Sequence, residues 1–295
     1  MRRSMLFIPS NNPNMIAGGG LLGADSLIFD LEDAVSPDEK DAARDLLQSA
    51  LGALDLGTCE KVVRINGLDT PYWEDDLRAV LPLGPDAILL PKAGSADSIR
   101  TLDARLSELE REFSLAQGRT KIIALLETAM GLENAFAIAS ASPRMAALFL
   151  GAEDLTADLH CPRTAEGTEI LYARGRVVSA ARAAGIDVCD TPFTDVQDLE
   201  GLARDASFAR SLGFSGKACI SPAHVSAVNR IFSPSREEVA CARDVFAAIA
   251  EAKHRGKGAI SLRGKMIDAP IVQRARLVLE AASEIEGVDY LEETL

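Results

Sequence analysis

The chain lacks the residue patterns that mark disulfide frameworks and zinc sites. It has only three histidines among 295 residues, and no two of its cysteines form a Cys-x-x-Cys motif. Because the cysteines are also widely spaced, they indicate a reduced, cytosolic set rather than a disulfide or soft-metal framework. The five are Cys59, Cys161, Cys189, Cys219 and Cys241.

The chain also lacks a basic stripe. Its formal net charge is −13 at pH 7, and no segment rich in lysine and arginine offsets that sign, which argues against nucleic acid as a partner. An acidic surface repels anionic substrates, so an anionic ligand would need cations within its own pocket. Arg64, Lys92 and Lys217 are the candidates.

Long hydrophobic runs are absent as well. No apolar stretch approaches the roughly 20 residues that span a bilayer. Met1-Arg2-Arg3 resembles the start of a signal peptide, but the apolar run behind it ends at Pro9 and is too short for a signal sequence. We therefore expect a cytoplasmic protein without a membrane partner.

What the chain does contain is a series of eight short apolar runs, spaced about 25 to 40 residues apart. Polar residues suited to chemistry follow the C-terminal ends of these runs, which is how a (β/α)8 barrel builds an active site. The predicted strands are Ser4–Pro9, Ser26–Leu31, Lys61–Asn66, Ala87–Pro91, Lys121–Glu127, Met145–Gly151, Gly185–Asp190 and Gly216–Ser221.

Longer helical patterns lie between and after the runs. Ser36-Pro37-Asp38-Glu39 combines an N-cap serine, a proline at the first helical position and acids in the first turn, and so predicts a helix to about Leu54. Further helices are predicted at 95–117, 164–184, 195–212, 236–254 and 269–286, with a basic, glycine-containing loop at 255–264.

This alternation of short strands and longer helices predicts an α/β fold of the TIM-barrel type. We expect the barrel at residues 1–232 and a C-terminal helical extension or lid at 233–295. A doubly wound open sheet is the alternative. It usually carries a G-x-G-x-x-G loop after the first strand, and Pro9-Ser10-Asn11-Asn12-Pro13 stands there instead.

Two acids at the ends of adjacent predicted strands suggest a metal site. Glu127 ends the fifth strand, and Asp154 follows the sixth. Neighbouring strands lie about 4.8 Å apart, so the two carboxylates can converge on one hard cation. Two oxygen ligands with open positions suit Mg²⁺. The alternative is that these acids cap the helices that follow them.

Further charged residues are predicted at the same rim. Asp30, Glu32 and Asp33 form an acidic cluster at the C-terminal end of the second strand, suited either to holding water around a metal or to pairing with basic neighbours. Arg64 ends the third strand and Lys92 follows the fourth. An arginine fork there suits a substrate carboxylate or a developing enolate oxygen, although a salt bridge to Glu32 or Asp33 is the alternative.

Seven motifs, in consistent order from about Arg3 to Ala223, resemble the family of citrate lyase β-subunits and malyl-CoA lyases, which includes citramalyl-CoA lyases. An eighth, Gly264–Pro270, resembles the C-terminal lid motif of its longer members. The seven are Arg3–Pro9, Asp30–Val35, Val63–Asn66, Leu90–Ala93, Leu126–Ala129, Gly151–Leu155 and Gly213–Lys217.

The resemblance implies a Mg²⁺-dependent TIM barrel, commonly trimeric or hexameric, that makes or breaks a carbon–carbon bond between an acyl-CoA and a 2-oxo acid. It places Glu127 and Asp154 on the metal ligands and Arg64 on the substrate-binding arginine. Asp268 falls on the lid aspartate that acts as acid or base over a neighbour's site. The alternative for Asp268 is an N-cap, since Asp268-Ala269-Pro270 also suits a helix start.

The substrate stays open at this point. Citryl-, citramalyl- and malyl-CoA differ at a substituent that pocket shape reads, and the first βα segment lacks the lysine or arginine that meets CoA phosphates in many relatives. A CoA-independent 2-oxo acid aldolase is one alternative, but no histidine base precedes His160. A synthase or thioesterase and a catalytically silent binding subunit are the others.

Overall fold

A computed structural model describes residues 1–254, 261–262 and 265–290. Its main feature is a closed barrel of eight parallel strands, in which β1 pairs with both β2 and β8. All eight predicted runs form strands, so the predicted barrel is confirmed. The strands are β1 (Ser4–Pro9), β2 (Ser26–Asp30), β3 (Glu60–Arg64), β4 (Ala87–Leu90), β5 (Lys121–Leu126), β6 (Met145–Leu150), β7 (Asp187–Asp190) and β8 (Gly216–Cys219).

Alternate residues of the strands fill the barrel. Met5, Ile28, Leu125, Phe149 and Ala218 belong to one buried cluster in its interior, whereas their strand neighbours face the surrounding helices, as the two-residue period of a strand requires. Because the strands run parallel, their C-terminal residues meet at one end of the barrel. The register also sets Asp30 of β2 opposite Arg64 of β3.

At least one helix follows each of the eight strands. These helices are α1 (Pro13–Gly18), α2 (Lys40–Ala53), α3 (Trp73–Val80), α4 (Ala96–Glu112), α5 (Ala129–Glu133), α6 (Ala135–Ala139), α7 (Ala152–Asp158), α8 (Leu171–Ala184), α9 (Leu199–Leu212) and α10 (Pro222–Phe232). In the described part of the chain, four short 3-10 turns supplement them, at Gly19–Leu21, Pro37–Glu39, Leu81–Leu83 and Thr168–Ile170.

Several predicted helix ends were wrong because side chains bind the backbone there. The helix predicted at 95–117 ends at Glu112, since the Glu110 carboxylate accepts hydrogen bonds from the N–H groups of Gly118 and Thr120, at 2.8 and 3.2 Å, and turns the chain back. The helix predicted from residue 195 begins at Leu199, where the Asp198 side chain caps it by accepting from Gly201 N–H at 2.8 Å.

The chain separates into two units, one of Arg2–Asn229 and one of Met1 with Arg230–Leu295. In the second unit, α11 (Arg236–His254) packs on α12 (Ala269–Glu286) through a cluster that includes Phe246 and Leu279. Both helices match the predicted ranges. Between them, β9 (Ser261–Leu262) and β10 (Lys265–Met266) form an antiparallel pair. The rest of the predicted loop at 255–264 lies outside the described residues, and the boundary at residue 232 and the lid role stay predictions.

Among the described residues, no helix combines the length and the apolar character needed to cross a membrane.

Candidate active site

A pocket of about 460 Å³ opens at the C-terminal end of the barrel. Residues from or directly after seven of the eight strands line it, and β4 is the exception. Phe7 and Phe149 contribute apolar surface from the barrel interior, and their rings meet edge to face with centroids 5.9 Å apart. The acids lie around this apolar surface, so the pocket combines a hydrophobic part with a charged rim, as enzyme sites commonly do.

Glu127 is the buried acid of this pocket. It directly follows β5 and is 4% exposed, and its Oε1 atom accepts a hydrogen bond from the backbone N–H of Lys92 at 2.7 Å. Burial raises the pKa of Glu127 to about 8, and the charges of Glu32 and Asp154 act in the same direction, while the Lys92 N–H and Arg64 oppose them. A carboxyl group so placed holds a proton at neutral pH unless a cation binds nearby.

We predict that this group makes the folded protein less stable as the pH rises. The pKa of Glu127 is about 8 in the folded chain and about 4.5 when unfolded. The folded state therefore retains a proton between those values that the unfolded state has released, and the free energy of unfolding falls across this window by up to a few kcal/mol. Urea unfolding at pH 5.5 and pH 8.5, with chelator present, measures the difference.

Glu127→Gln should flatten that pH dependence, whereas Glu112→Gln, at an exposed position of α4, should leave it unchanged. Parallel curves for the wild type and Glu127→Gln would contradict the raised pKa.

Asp154 faces the same pocket from α7. Helix α7 begins directly after β6, and Asp154 lies in its first turn and is half-buried. Its charge reaches Glu127, because it contributes to the raised pKa of that group. The structure thus brings the two predicted metal ligands to one pocket. The alternative for Asp154, that it caps the helix after β6, is not what the structure shows, because the N-cap residue of α7 is Gly151 and no side chain of the helix caps it.

Gly151 allows these two segments to approach each other. A Cβ atom at residue 151 would lie 2.8 Å from both Cβ and Oε2 of Glu127, which is closer than van der Waals contact permits. Only glycine therefore fits between β6 and the Glu127 side chain in its present position.

Gly151→Ala is expected to lower the free energy of unfolding by about 1–3 kcal/mol, since the added methyl group must displace a buried side chain. Gly175→Ala is the matched control. It adds a methyl in the interior of α8 with nothing within 4 Å, and should stabilise the protein by up to about 1 kcal/mol. Equal unfolding midpoints for the two variants in urea would contradict the close approach between Gly151 and the Glu127 side chain.

Arg64 forms the cationic side of the pocket. Its Nε and Nη2 atoms donate to the two oxygens of Asp30, at 2.7 and 2.6 Å, and Nη1 lies 2.9 Å from Glu32 Oε2 and 3.5 Å from Asp33 Oδ2. Its guanidinium group also lies over the ring of Phe7, at 5.1 Å. Although burial lowers the pKa of Arg64, the hydrogen bonds and charge of Asp30, with the charges of Glu32 and Asp33, raise it above its ordinary value.

The predicted alternative for Arg64 is confirmed, and the structure adds a further partner. The salt bridge to Glu32 and Asp33 is present, but the two-pronged partner is Asp30. In the part of the chain that the structure describes, Arg64 is the single basic residue lining this pocket. It is oriented by carboxylates and still borders the cavity, so a salt bridge and a role toward substrate are compatible.

Glu32 connects Arg64 to Lys92. The carboxylate of Glu32 is 7% exposed, and its Oε1 atom accepts from Lys92 Nζ at 2.9 Å. Burial raises the pKa of Glu32 even though Arg64 and Lys92 oppose that shift. Partial burial lowers the pKa of Lys92, but the hydrogen bond and charge of Glu32 outweigh it and raise the value overall. The Lys92 side chain therefore binds Glu32, and its predicted contact with substrate stays a prediction.

Lys92 contributes more clearly through its backbone. Its φ angle is 49°, a left-handed conformation that is uncommon for a residue other than glycine. This turn after β4 points the N–H of Lys92 at Glu127. Nothing in the sequence signals this conformation.

Two further residues predicted for the site bind groups within their own units. Lys217 is fully buried outside the barrel interior, where its Nζ atom donates to Asp190 and Asp205 at 2.6 and 2.5 Å. The two-residue period of β8 could have shown this, since Ala218 faces inward. Asp268 belongs to the second unit and caps α12, its side chain accepting from Ile271 N–H at 3.0 Å. The lid role of Asp268 stays a prediction.

The exposed Asp33 lines the rim of the pocket.

Comparisons with known proteins show which families and structures this chain is similar to. The sequence model of the family described as HpcH/HpaI aldolase/citrate lyase matches residues 3–222. The chain is 46% identical over 289 residues to citrate lyase subunit beta of Leuconostoc mesenteroides subsp. cremoris, covering 98% of this chain and 96% of the relative. It is 36% identical over 308 residues to an L-malyl-CoA/beta-methylmalyl-CoA lyase of Cereibacter sphaeroides, covering 97% and 96%.

A solved structure is similar as well. Protein CitE from Mycobacterium tuberculosis, crystallised in complex with magnesium, acetoacetate and coenzyme A, superposes with a TM-score of 0.78 at 33% identity, over 95% of this chain and 98% of that one.

Proposed function

Since the chain belongs to the HpcH/HpaI aldolase/citrate lyase family, we propose that it cleaves a 3-hydroxy-3-carboxyacyl-CoA-type thioester into acetyl-CoA and a 2-oxo acid with the help of Mg²⁺. As a member of this family and a relative of malyl-CoA lyases, the protein is a carbon–carbon lyase that acts on a CoA ester. The observation that carries the finer proposal is the buried Glu127 beside Asp154, in the pocket that Arg64 borders.

The donor set of this pocket fits Mg²⁺. Glu127 and Asp154 both line it, and burial, together with the charges of Glu32 and Asp154, raises the pKa of Glu127, a shift that a bound cation would oppose. The fork of Arg64 is already bound to Asp30. Among the described residues, no group of three or more histidine, cysteine, aspartate or glutamate side chains is arranged to hold a metal. Glu127 and Asp154 would therefore supply two ligands and leave positions for water and substrate oxygens, as is usual for Mg²⁺.

Bound by Glu127 and Asp154, Mg²⁺ would lower the pKa of the substrate hydroxyl and hold the carboxylate beside it. Arg64 donates to the oxygen that becomes negative when the carbon–carbon bond breaks. Asp30 and Glu32 keep the guanidinium group in place, and Glu32 with Asp33 positions water at the rim.

The reaction balances with two proton transfers. A base removes the hydroxyl proton, the carbon–carbon bond breaks to give the 2-oxo acid, and its electron pair forms the enolate of the thioester. Protonation of the enolate carbon then gives acetyl-CoA. We assign Asp268 as the donor of that proton. Asp268 belongs to the arm at 233–295, which would act as a lid. The protein would be a homotrimer or hexamer. The lid role rests on the resemblance of the 264–270 segment.

The test is the cleavage of citryl-, citramalyl- and malyl-CoA, each with Mg²⁺ and with chelator. Mg²⁺-dependent release of acetyl-CoA and free 2-oxo acid from one of them supports the lyase and names its substrate. Condensation of pyruvate with aldehydes in the absence of CoA, with none of the thioesters cleaved, would replace it with the aldolase alternative. Formation of free CoA together with a free hydroxy acid would indicate a thioesterase.

A further inference from the structure

Helix α7, which carries Asp154, begins without a capping side chain of its own. Its N-cap residue is Gly151, which has no side chain to accept a hydrogen bond from the first turn. The N–H of Ala152, 1% exposed, donates instead to the hydroxyl of Thr191 at 3.1 Å. Thr191 follows β7, so the cap for this helix comes from the neighbouring strand end.

Thr191 is itself fixed from the far side of the barrel wall. It is fully buried, and its carbonyl oxygen accepts from Lys217 Nζ at 2.7 Å. Lys217 in turn binds Asp190 and Asp205, both of which also bind the buried Arg174. This network of four charged side chains holds the peptide of Thr191 against the barrel.

We propose that Thr191 is a positioning residue for the metal site. By holding the first turn of α7, Thr191 sets the direction of the Asp154 carboxylate, and Lys217 in turn holds Thr191 in place. Asp154 is two residues beyond Ala152, in that same turn. Without the Thr191 hydroxyl, the buried N–H of Ala152 has no acceptor, and the helix start must shift to find one. This proposal rests on the proposed function, in which Asp154 is a Mg²⁺ ligand.

The test is Mg²⁺ binding by isothermal titration calorimetry without substrate. Thr191→Val keeps the shape of the side chain and removes the acceptor. We expect its dissociation constant for Mg²⁺ to rise about tenfold, the lower end of what loss of a ligand-orienting residue causes. At saturating Mg²⁺, kcat should recover most of the wild-type value. Thr191→Ser keeps the hydroxyl and should restore the affinity.

Thr120→Val is the matched control. Thr120 is also a buried threonine, and its hydroxyl donates to the carbonyl oxygen of Pro85 at 3.4 Å. It directly precedes β5 and so lies at the opposite end of the barrel from the pocket. Thr120→Val should bind Mg²⁺ as the wild type does. The proposal is overturned if Thr191→Val binds Mg²⁺ with wild-type affinity, or if Thr191→Ser binds Mg²⁺ as weakly as Thr191→Val. In either case, Mg²⁺ binding by the wild type leaves the proposed function standing. Absence of Mg²⁺ binding in the wild type overturns both.

Discussion

Replacing Glu127 with glutamine is expected to lower kcat for thioester cleavage by at least about a thousandfold and to abolish measurable Mg²⁺ binding. Glutamine has nearly the same shape, and its carbonyl can still accept from the N–H of Lys92, which holds Glu127 Oε1 at 2.7 Å. The change therefore removes the charge and leaves the packing. Steady-state kinetics and calorimetric titration with Mg²⁺ measure the two effects.

Stability separates this loss from misfolding. Because burial raises the pKa of Glu127 to about 8, its ionised form is unfavourable in the folded protein when no metal is bound. Glu127→Gln should therefore unfold at the same or a higher urea concentration than the wild type at pH 8.5 in chelator. Glu112→Gln, an exposed glutamate on α4, should match the wild type in kcat and Mg²⁺ affinity. If Glu127→Gln retained kcat within tenfold, Glu127 could not be a metal ligand.

The barrel could be predicted from the sequence because parallel strands buried on both faces are continuous apolar runs. Seven of the eight predicted strands began within one residue of the observed start, and the eighth, β7, began at Asp187 rather than Gly185. The helix ends were harder. The hydrogen bonds that the Glu110 carboxylate accepts from the N–H groups of Gly118 and Thr120 join residues whose proximity no periodic pattern encodes.

The candidate site was partly predictable for the same reason. Parallel strands all end at one face, so Glu127, Asp154 and Arg64 could be expected to share a pocket. The two-pronged contact of Arg64 with Asp30 was missed because three acids lie within residues 30–33, and only the register of β2 and β3 selects Asp30. Thr191 was missed because it acts by accepting a hydrogen bond from the backbone N–H of Ala152. Gly151 was missed because it acts by leaving space for the Glu127 side chain.

Replacing Arg64 with methionine is expected to lower kcat/KM by about a thousandfold and the free energy of unfolding by about 3 kcal/mol. The change leaves the buried Asp30 carboxylate, now bound by Arg64 at 2.7 and 2.6 Å, without its cation. Arg64→Lys keeps a positive charge but cannot form the two-pronged contact. It should recover most of the stability while kcat/KM stays at least about a hundredfold below the wild type.

Arg144→Lys is the matched control for that comparison. Arg144 is 4% exposed and binds Glu110 and Asp103 through a similar set of charged hydrogen bonds, but it precedes β6 and so lies at the opposite end of the barrel from the pocket. Its replacement should lower stability and leave kcat/KM nearly unchanged. If Arg64→Lys behaved in the same way, Arg64 would serve the fold alone. A selective loss of kcat/KM in Arg64→Lys would support a contact between the guanidinium group and the substrate, because Arg64 lines the pocket and Arg144 does not.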